Sequence, residues 1–496
     1  MDPLDVIIFI AYMIGVTLFG ASFFRKNRTS DAFTLGNRNI PEWVITMSIF
    51  ATFVSSISYL ALPGIAYQSN WNPFVFSLSI PFAALIAAKF FVPLYRSINS
   101  PSAYSYLEKR FGPWARTYVS VCYLLTQLMR VGTILYLLAL VLHAVFGWNI
   151  ALIIAITGIT IMLYSILGGL QAVVWTDAIQ GILLIFGALL TVVIILLKMP
   201  EGSGQMFRIA AEHGKFSLGS FSLDLSSSTF WVVLVYGVFI NLQNFGIDQN
   251  YIQRYMASRT DRSASRSALS GGLLYIPVSL LFLFIGTALF SFYNSGAALL
   301  PDSLQDVQNA DQVFPHFIIT QLPAGITGLL LASIFAAGMS TISTSFNSSA
   351  TVFLTDYYRR YEKKKTSEKE SMKVLYLASV VITLVGIGIA MAMINVKSAL
   401  DTWWKLASIF SGGMLGLFLL GALSKRSSSR GAIIGVVTGI AVIAWMSLSS
   451  LATDPSRYGN IFHSYLTIVF GTLSIFGVGL IISYLAWKRR IAKKLK

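Results

Sequence analysis

The chain is poor in charged residues and has almost no cysteine. Only 11% of its 496 residues are charged, and Cys122 is the single cysteine, which excludes an internal disulfide. With 55% hydrophobic residues and a mean hydropathy of +0.71, a soluble protein of this length could not bury its apolar surface. The composition therefore indicates a helical protein that crosses a lipid bilayer many times.

The residue patterns that enzymes use are missing as well. No glycine-rich phosphate motif follows a strand pattern, and Asp177 cannot by itself form the carboxylate pair of an intramembrane protease. The four histidines lie at or near one predicted side of the membrane, without metal-ligand spacing: His143, His213, His316 and His463. We therefore predict a protein that is not an enzyme.

Long apolar runs account for most of the chain. A helix needs about twenty apolar residues to cross a bilayer, and the sequence contains thirteen such runs. The first has neither a basic leader nor a small-residue cleavage site, so we expect a retained helix rather than a signal peptide. The runs are 4–24, 43–67, 73–95, 117–145, 149–168, 172–197, 229–250, 268–292, 323–355, 374–395, 402–424, 431–451 and 463–487.

Basic residues lie mostly on one side of these runs. The net charge of +16 would point to nucleic acid in a soluble protein. Here 28 of the 36 Lys and Arg residues, Arg254 among them, fall in alternate loops, as the positive-inside rule requires of cytoplasmic loops. This pattern predicts a multi-pass protein of the inner (plasma) membrane with no nucleic-acid partner. Its N-terminus is expected outside and its C-terminus in the cytoplasm.

The connections between the runs are short. The two longest, 200–228 and 294–321, are predicted external and are either lids over a site or solvated connectors. The segment 101–111 is predicted to lie as a helix along the inner membrane surface. No connection is long enough for a soluble catalytic domain.

Two apolar runs carry polar interruptions. The second run has clustered hydroxyls followed by Pro63 and Gly64, and the seventh has the amides Asn241 and Gln243. The two runs are five helices apart, and broken helices at matching positions predict an inverted-repeat transporter with a site at the membrane midplane. We therefore count both amides among the candidate substrate residues. The alternative is two unrelated kinks packed against neighbouring helices.

The ninth run carries a stripe of hydroxyl side chains. Ser340, Ser343, Thr344 and Asn347 recur at spacings of three and four residues, so they share one helix face. Such oxygens suit a small hard cation such as Na⁺. The same pattern also holds helices together without any ion.

Two charged residues within the runs are candidate site residues. Asp177 enters the sixth run, where an unpaired charge is costly, so it either shares a cation with the hydroxyl stripe or caps a helix or pairs with a loop arginine. Arg130 lies deep in the fourth run, and its planar guanidinium suits a carboxylate. The alternative for Arg130 is a structural partner for Asp177 or for a helix end.

The interruptions and two motifs resemble the sodium:solute symporter family. The motifs are Tyr-Ser-Ile-Leu-Gly-Gly-Leu-Gln-Ala-Val-Val-Trp-Thr-Asp at 164–177 and Ala-Gly-Met-Ser-Thr-Ile-Ser-Thr-Ser-Phe-Asn-Ser at 337–348. The similarity runs along essentially the whole chain. It implies an all-α fold of thirteen transmembrane helices with a leucine-transporter-type five-plus-five inverted repeat.

The resemblance also implies a division of the chain. Residues 1–496 would form one transmembrane transporter domain. An extra N-terminal helix would occupy 4–24, the first repeat 43–197, the second repeat 229–424 and two C-terminal helices 431–487. The protein would work as a monomer in the lipid bilayer.

The resemblance further implies sodium as the coupling ion. A primary sodium would be held by Ala51, Val54, Ala337, Ser340 and Thr341, mostly through carbonyl and hydroxyl oxygens. A second sodium, as in bacterial sialic acid transporters of the family, would be held by Asp177, Ser340, Ser343 and Thr344.

The same branch implies a substrate site. Arg130 would take the substrate carboxylate, and Ser55 and Ser58 would contact a sugar acid such as N-acetylneuraminate. Phe53 and Ser77 occupy substrate positions where that branch is expected to have a small hydroxyl residue and a glutamine. The runner-up substrates are a monocarboxylate and a neutral sugar, and the alternative outside this class is an uncoupled channel.

Overall fold

Helices make up almost all of the structure, which is a computed structural model describing residues 2–305, 307–362, 366–395, 399–449 and 460–494. Within those residues the β pairing is limited to one bridge between Ile40 and Ser258. In chain order the α-helices are α1 (Pro3–Ala21), α2 (Ser30–Leu35), α3 (Glu42–Phe53), α4 (Ser56–Gln68), α5 (Phe74–Leu78), α6 (Ile80–Ile86), α7 (Val92–Ile98), α8 (Ser105–Phe111), α9 (Pro113–Phe146), α10 (Ile150–Leu197), α11 (Ser203–Glu212), α12 (Phe230–Ile247), α13 (Gln249–Ala257), α14 (Asp261–Asn294), α15 (Asp302–Gln305), α16 (Val313–Gln321), α17 (Ile326–Val352), α18 (Arg359–Tyr361), α19 (Glu368–Ala392), α20 (Ala399–Leu423), α21 (Ser429–Leu448) and α22 (Leu466–Lys494).

Eleven segments of the described chain can cross a membrane by length and composition. Ten are single stretches, and α3 with α4 form an eleventh that is bent by 52°. The stretch α10 has 48 residues, about 72 Å at 1.5 Å per residue, which is more than twice the bilayer core of about 30 Å. Gly169 breaks it with φ 57° and ψ −155°, so it contains both predicted runs 149–168 and 172–197. The exact number of thirteen spans stays a prediction.

The break at Gly169 is held by a side chain from the segment after α1. Asn27 donates from Nδ2 to the carbonyls of Ile166 and Leu167 at 3.1 and 3.0 Å. These carbonyls lie where the helix ends and have lost their helical donors. Because Asn27 donates hydrogen bonds to these carbonyls, the break is tolerated within the membrane.

The interruption of the second run lies earlier than Pro63 and Gly64. The chain is extended at Val54 and Ser55, between α3 and α4, whereas Pro63 lies inside α4. The Ser55 hydroxyl accepts from the Ser58 amide at 3.4 Å and caps α4. The prediction of a broken helix is confirmed, but the break lies within the hydroxyl cluster and not at the proline.

The seventh run is also broken, and it continues further than predicted. Asp248 is extended (φ −73°, ψ 120°) between α12 and α13 and accepts from the Asn250 amide at 2.8 Å. The helix then resumes as α13, whose nine side chains are all buried. The assignment of Arg254 to a cytoplasmic loop is therefore wrong, because this residue is fully buried within α13.

The centre of the molecule is α17, which carries the predicted hydroxyl stripe. Nearly all of its side chains are buried, against α1, α9 and α10 among others. The two long connections that are predicted to be external contain structure of their own: α11 within 200–228, and α15 and α16 within 294–321. The predicted surface helix at 101–111 is present as α8, with Leu107 and Phe111 buried.

Candidate functional site

The predicted primary sodium residues meet where α3 ends against α17. The chain becomes extended after Phe53, so the last carbonyls of α3 lack helical donors. One of them, on Ala51, accepts from the Ser340 hydroxyl at 3.4 Å. The Thr341 hydroxyl donates to the Ala337 carbonyl at 3.2 Å. The five predicted sodium residues are all buried: Ala51, Val54, Ala337, Ser340 and Thr341. The break and the stripe therefore place several uncharged oxygens together.

Asp177 forms an ion pair that is sealed from solvent. Its Oδ2 lies 2.6 Å from Nη2 of Arg254, and both side chains have zero exposure. Ser48 donates to the same oxygen at 2.6 Å. The remaining Arg254 donors reach Ser48 at 2.7 Å, the Asn250 carbonyl at 2.6 Å and Thr344 at 2.7 Å. Asp177 therefore pairs with an arginine, as one alternative predicted, but this arginine lies within α13 and not in a loop.

The second carboxylate oxygen of Asp177 has no hydrogen-bond partner. This Oδ1 is fully buried, and the Ser340 side chain lies close to the carboxylate. Ser343 donates to the Ser340 carbonyl at 3.1 Å, one turn further along α17. An orphaned buried oxygen is costly, and a cation beside it would supply the missing partner. The residues therefore fit a second sodium even with Arg254 in place.

Arg130 is half-buried and lies beside the break between α12 and α13. It acts electrostatically on the Asp248 carboxylate and on Tyr123 and Tyr251. No carboxylate in the described chain lies within 4.0 Å of it, in contrast to Arg254. The alternative that Arg130 serves as the partner of Asp177 is wrong, because Arg254 takes that role.

Aromatic rings from four helices border the same region. The Phe53 ring lies 5.1–5.3 Å from the rings of Phe245, Tyr251 and Tyr275. The hydroxyl of Tyr275 lies close to Ser58 at the start of α4. Phe53 and Ser58 therefore share one neighbourhood, at the break in the first broken helix, as the substrate prediction requires.

The other predicted substrate residues lie at helix–helix contacts. Ser77 shares a hydrogen bond of 2.8 Å with Ser279, and Asn241 donates to Ser79 at 2.9 Å. The side-chain carbonyls of Asn241 and Gln243 are buried without partners. Their assignment to the substrate stays a prediction.

Sequence reasoning missed Asp248 and placed Arg254 outside the core. Both follow the polar interruption of the seventh run directly. The available signal was the break itself, because a broken membrane helix has a second half. Charged residues just beyond such a break belong to that half rather than to a loop.

Two broken helices beside a hydroxyl-bearing helix define a transporter of the leucine-transporter type. Solved structures of two such proteins share this fold at 15% identity: Mhp1 of the nucleobase-cation-symport-1 family (TM-score 0.57, 93% of this chain and 96% of that one) and MhsT (TM-score 0.53, 89% and 98%). The model of the sodium:solute symporter family matches residues 33–439. The chain belongs to this family of sodium-coupled transporters and is not an enzyme.

Several relatives are sialic acid symporters. The sodium/sialic acid symporter of Proteus mirabilis (strain HI4320) is 32% identical over 477 residues, 95% of this chain and 92% of its own length. That of Aliivibrio fischeri (strain ATCC 700601 / ES114) is 32% identical over 447 residues, 89% and 87%. A solved structure of a Na⁺-coupled sialic acid symporter, bound to substrate and outward-open, superimposes with a TM-score of 0.90 at 30% identity and 98% coverage of both chains.

Proposed function

We propose that the protein imports a sialic acid such as N-acetylneuraminate together with Na⁺. The observation that carries this is Arg130, a half-buried guanidinium beside the break between α12 and α13, in a chain similar over most of its length to sialic acid symporters. A guanidinium in such a place suits a carboxylate bidentately. The protein works as a monomer in the inner (plasma) membrane, with its N-terminus outside and its C-terminus in the cytoplasm.

Coupling follows from the position of the primary sodium. The ion would bind the carbonyls of Ala51 and Val54 at the break, the carbonyl of Ala337 within α17, and the hydroxyls of Ser340 and Thr341. It thereby ties the end of α3 to α17 and holds the adjacent break in one geometry. Because Ser55, Ser58 and Phe53 lie at that break, sodium raises substrate affinity, and substrate raises sodium affinity by the same factor.

A second sodium would use the unpaired Oδ1 of Asp177 with Ser340, Ser343 and Thr344. Arg254 contacts Oδ2 and the Thr344 hydroxyl, and it leaves Oδ1 to a cation that the uncharged oxygens would also coordinate. The test is the number of sodium ions per substrate, measured from reversal potentials in proteoliposomes. Asp177→Asn should lower that number by one, and an unchanged number would remove this site from the proposal.

The transport proposal is tested by uptake into proteoliposomes. With an inward Na⁺ gradient, radiolabelled N-acetylneuraminate should accumulate above equilibrium, and collapsing the gradient should abolish accumulation. Uptake only to equilibrium would indicate a channel. A competition panel with pyruvate and glucose separates the sugar acid from a monocarboxylate or a neutral sugar.

The role of Arg130 has its own test with a matched control. Arg130→Ala should abolish uptake, while Arg208→Ala, in an exposed external ion pair with Glu201, should leave uptake unchanged. Binding of N-acetylneuraminate with equal affinity to wild type and Arg130→Ala would contradict the carboxylate clamp.

A further inference from the structure

An acid lies in the break next to the helix that carries the proposed carboxylate clamp. Asp248 lies in the break between α12 and α13 and is 8% exposed. Its carboxylate accepts a hydrogen bond from the Asn250 amide at 2.8 Å as the cap of α13. The remaining lone pairs of the carboxylate can accept from another donor. Arg130 and Arg254 are the cations that act on it.

The face of α9 that carries Arg130 is held against this break. Tyr123, Gln127 and Arg130 follow at spacings of four and three residues, so they share one helix face. Tyr123 donates to the side-chain carbonyl of Asn250 at 2.9 Å, and Gln127 accepts from its amide at 3.4 Å. Two of the three residues on this face thus contact a residue two positions after Asp248. The third, Arg130, lies one turn further along α9, and its charge acts on Asp248.

The presence of Asp248 near Arg130 changes which substrates the carboxylate clamp selects. Arg130 alone would favour any small monoanion. With Asp248 beside it, a bare carboxylate meets attraction from one side and repulsion from the other, which lowers its affinity. A substrate that also offers a hydroxyl or an amide N–H satisfies the Asp248 carboxylate through a charge-assisted hydrogen bond.

We propose that Asp248 is a specificity-determining residue that selects carboxylates carrying hydrogen-bond donors and rejects donor-free monocarboxylates. This inference rests on the proposed function, since it takes Arg130 as the carboxylate clamp. It identifies the substrate class as polyhydroxylated or amide-bearing acids. Pyruvate, which has no such donor, is the discriminating probe.

The variant Asp248→Asn isolates the charge, because asparagine caps a helix about as well as aspartate. We measure equilibrium affinities of N-acetylneuraminate and pyruvate for the purified protein in saturating Na⁺. Asp248→Asn should weaken N-acetylneuraminate binding by about tenfold and leave pyruvate binding unchanged or stronger. Asp248→Ser, which also keeps the cap, should act in the same direction, and exposed Asp302→Asn should change neither affinity.

The outcomes separate this inference from the transport proposal. Equal weakening of both ligands, or no change in either, would overturn the role of Asp248 while Arg130→Ala still abolishes binding. If Arg130→Ala also leaves binding unchanged, the clamp itself fails. Thermal stabilisation by Na⁺ alone, retained in Asp248→Asn, shows that a changed affinity does not arise from misfolding. If Asp248→Asn does not fold, Asp248→Ser decides between the same outcomes.

Discussion

The buried pair of Asp177 and Arg254 is expected to be the most stability-critical contact of the core. Both side chains have zero exposure and meet at 2.6 Å. If Asp177 becomes asparagine, Arg254 keeps its bonds to Ser48, Asn250 and Thr344 but loses its counter-charge. An uncompensated guanidinium then remains in a site without solvent.

The expected loss follows from the cost of leaving one buried charge unpaired. Removing one partner of such a pair costs about 3–5 kcal/mol. At roughly 2 cal/mol/K of unfolding entropy per residue, this is a fall in Tm of about 3–5 °C for a chain of 496 residues. Helices that persist in the membrane-unfolded state reduce the entropy and make the fall larger.

A double-mutant cycle in detergent or nanodiscs measures the coupling. Asp177→Asn and Arg254→Met should each lower Tm, and the double variant should recover most of the loss, because no charge is then left unpaired. The exposed pair of Arg208 and Glu201 provides the control cycle, with no measurable coupling expected. Simple additivity of the two core substitutions would refute the reasoning.

Three further predictions concern contacts around the site. Asp5→Ala should cost about 1 kcal/mol in the free energy of unfolding, measured by thermal shift, because Asp5 caps the start of α17 through backbone amides at 2.7 and 2.9 Å. Burial lowers the pKa of Lys215 from 10.5 to about 8. Between pH of about 8 and 10.5, the Lys215 side chain is protonated in the unfolded chain but not in the folded chain. Tm should therefore rise with pH across this window in the wild type and rise less in Lys215→Met. Gly286→Ala should lower Tm by an amount equivalent to about 1–3 kcal/mol, because its methyl group would overlap the Pro63 carbonyl. Gly388→Ala meets open space and should leave Tm within error.

The fold class could be predicted from the sequence because the bilayer restricts the choices. Long apolar runs and the distribution of basic residues indicate helices, and polar interruptions indicate broken ones. The position of the first break could not be read, because Pro63 is tolerated inside α4 while the chain turns at Val54 and Ser55. The local sequence does not distinguish a break at Pro63 from a break at Val54 and Ser55.

The hydroxyl residues of the candidate site could be predicted from the sequence, but the pairing of its charged residues could not. The stripe on α17 is a property of one helix face and is visible as spacing. The partner of Asp177 comes from 77 positions away in sequence, on a helix that begins only after an extended residue. A charged residue after an apolar run is normally assigned to a loop. Only the tertiary structure shows that the chain re-enters the core there.

Asp248 and Asp177 are connected through one short helix. Asp248 caps the start of α13, and Arg254, six residues later, holds Asp177. Six residues of helix span about 9 Å, and the Arg254 bond to the Asn250 carbonyl ties the two ends together. Because a helix turns as a unit, a movement that changes the distance from Asp248 to Arg130 also changes the geometry of Arg254 at Asp177. Substrate at Arg130 and sodium at the free oxygen of Asp177 would thus bias the same element, and their coupling must act equally in both directions.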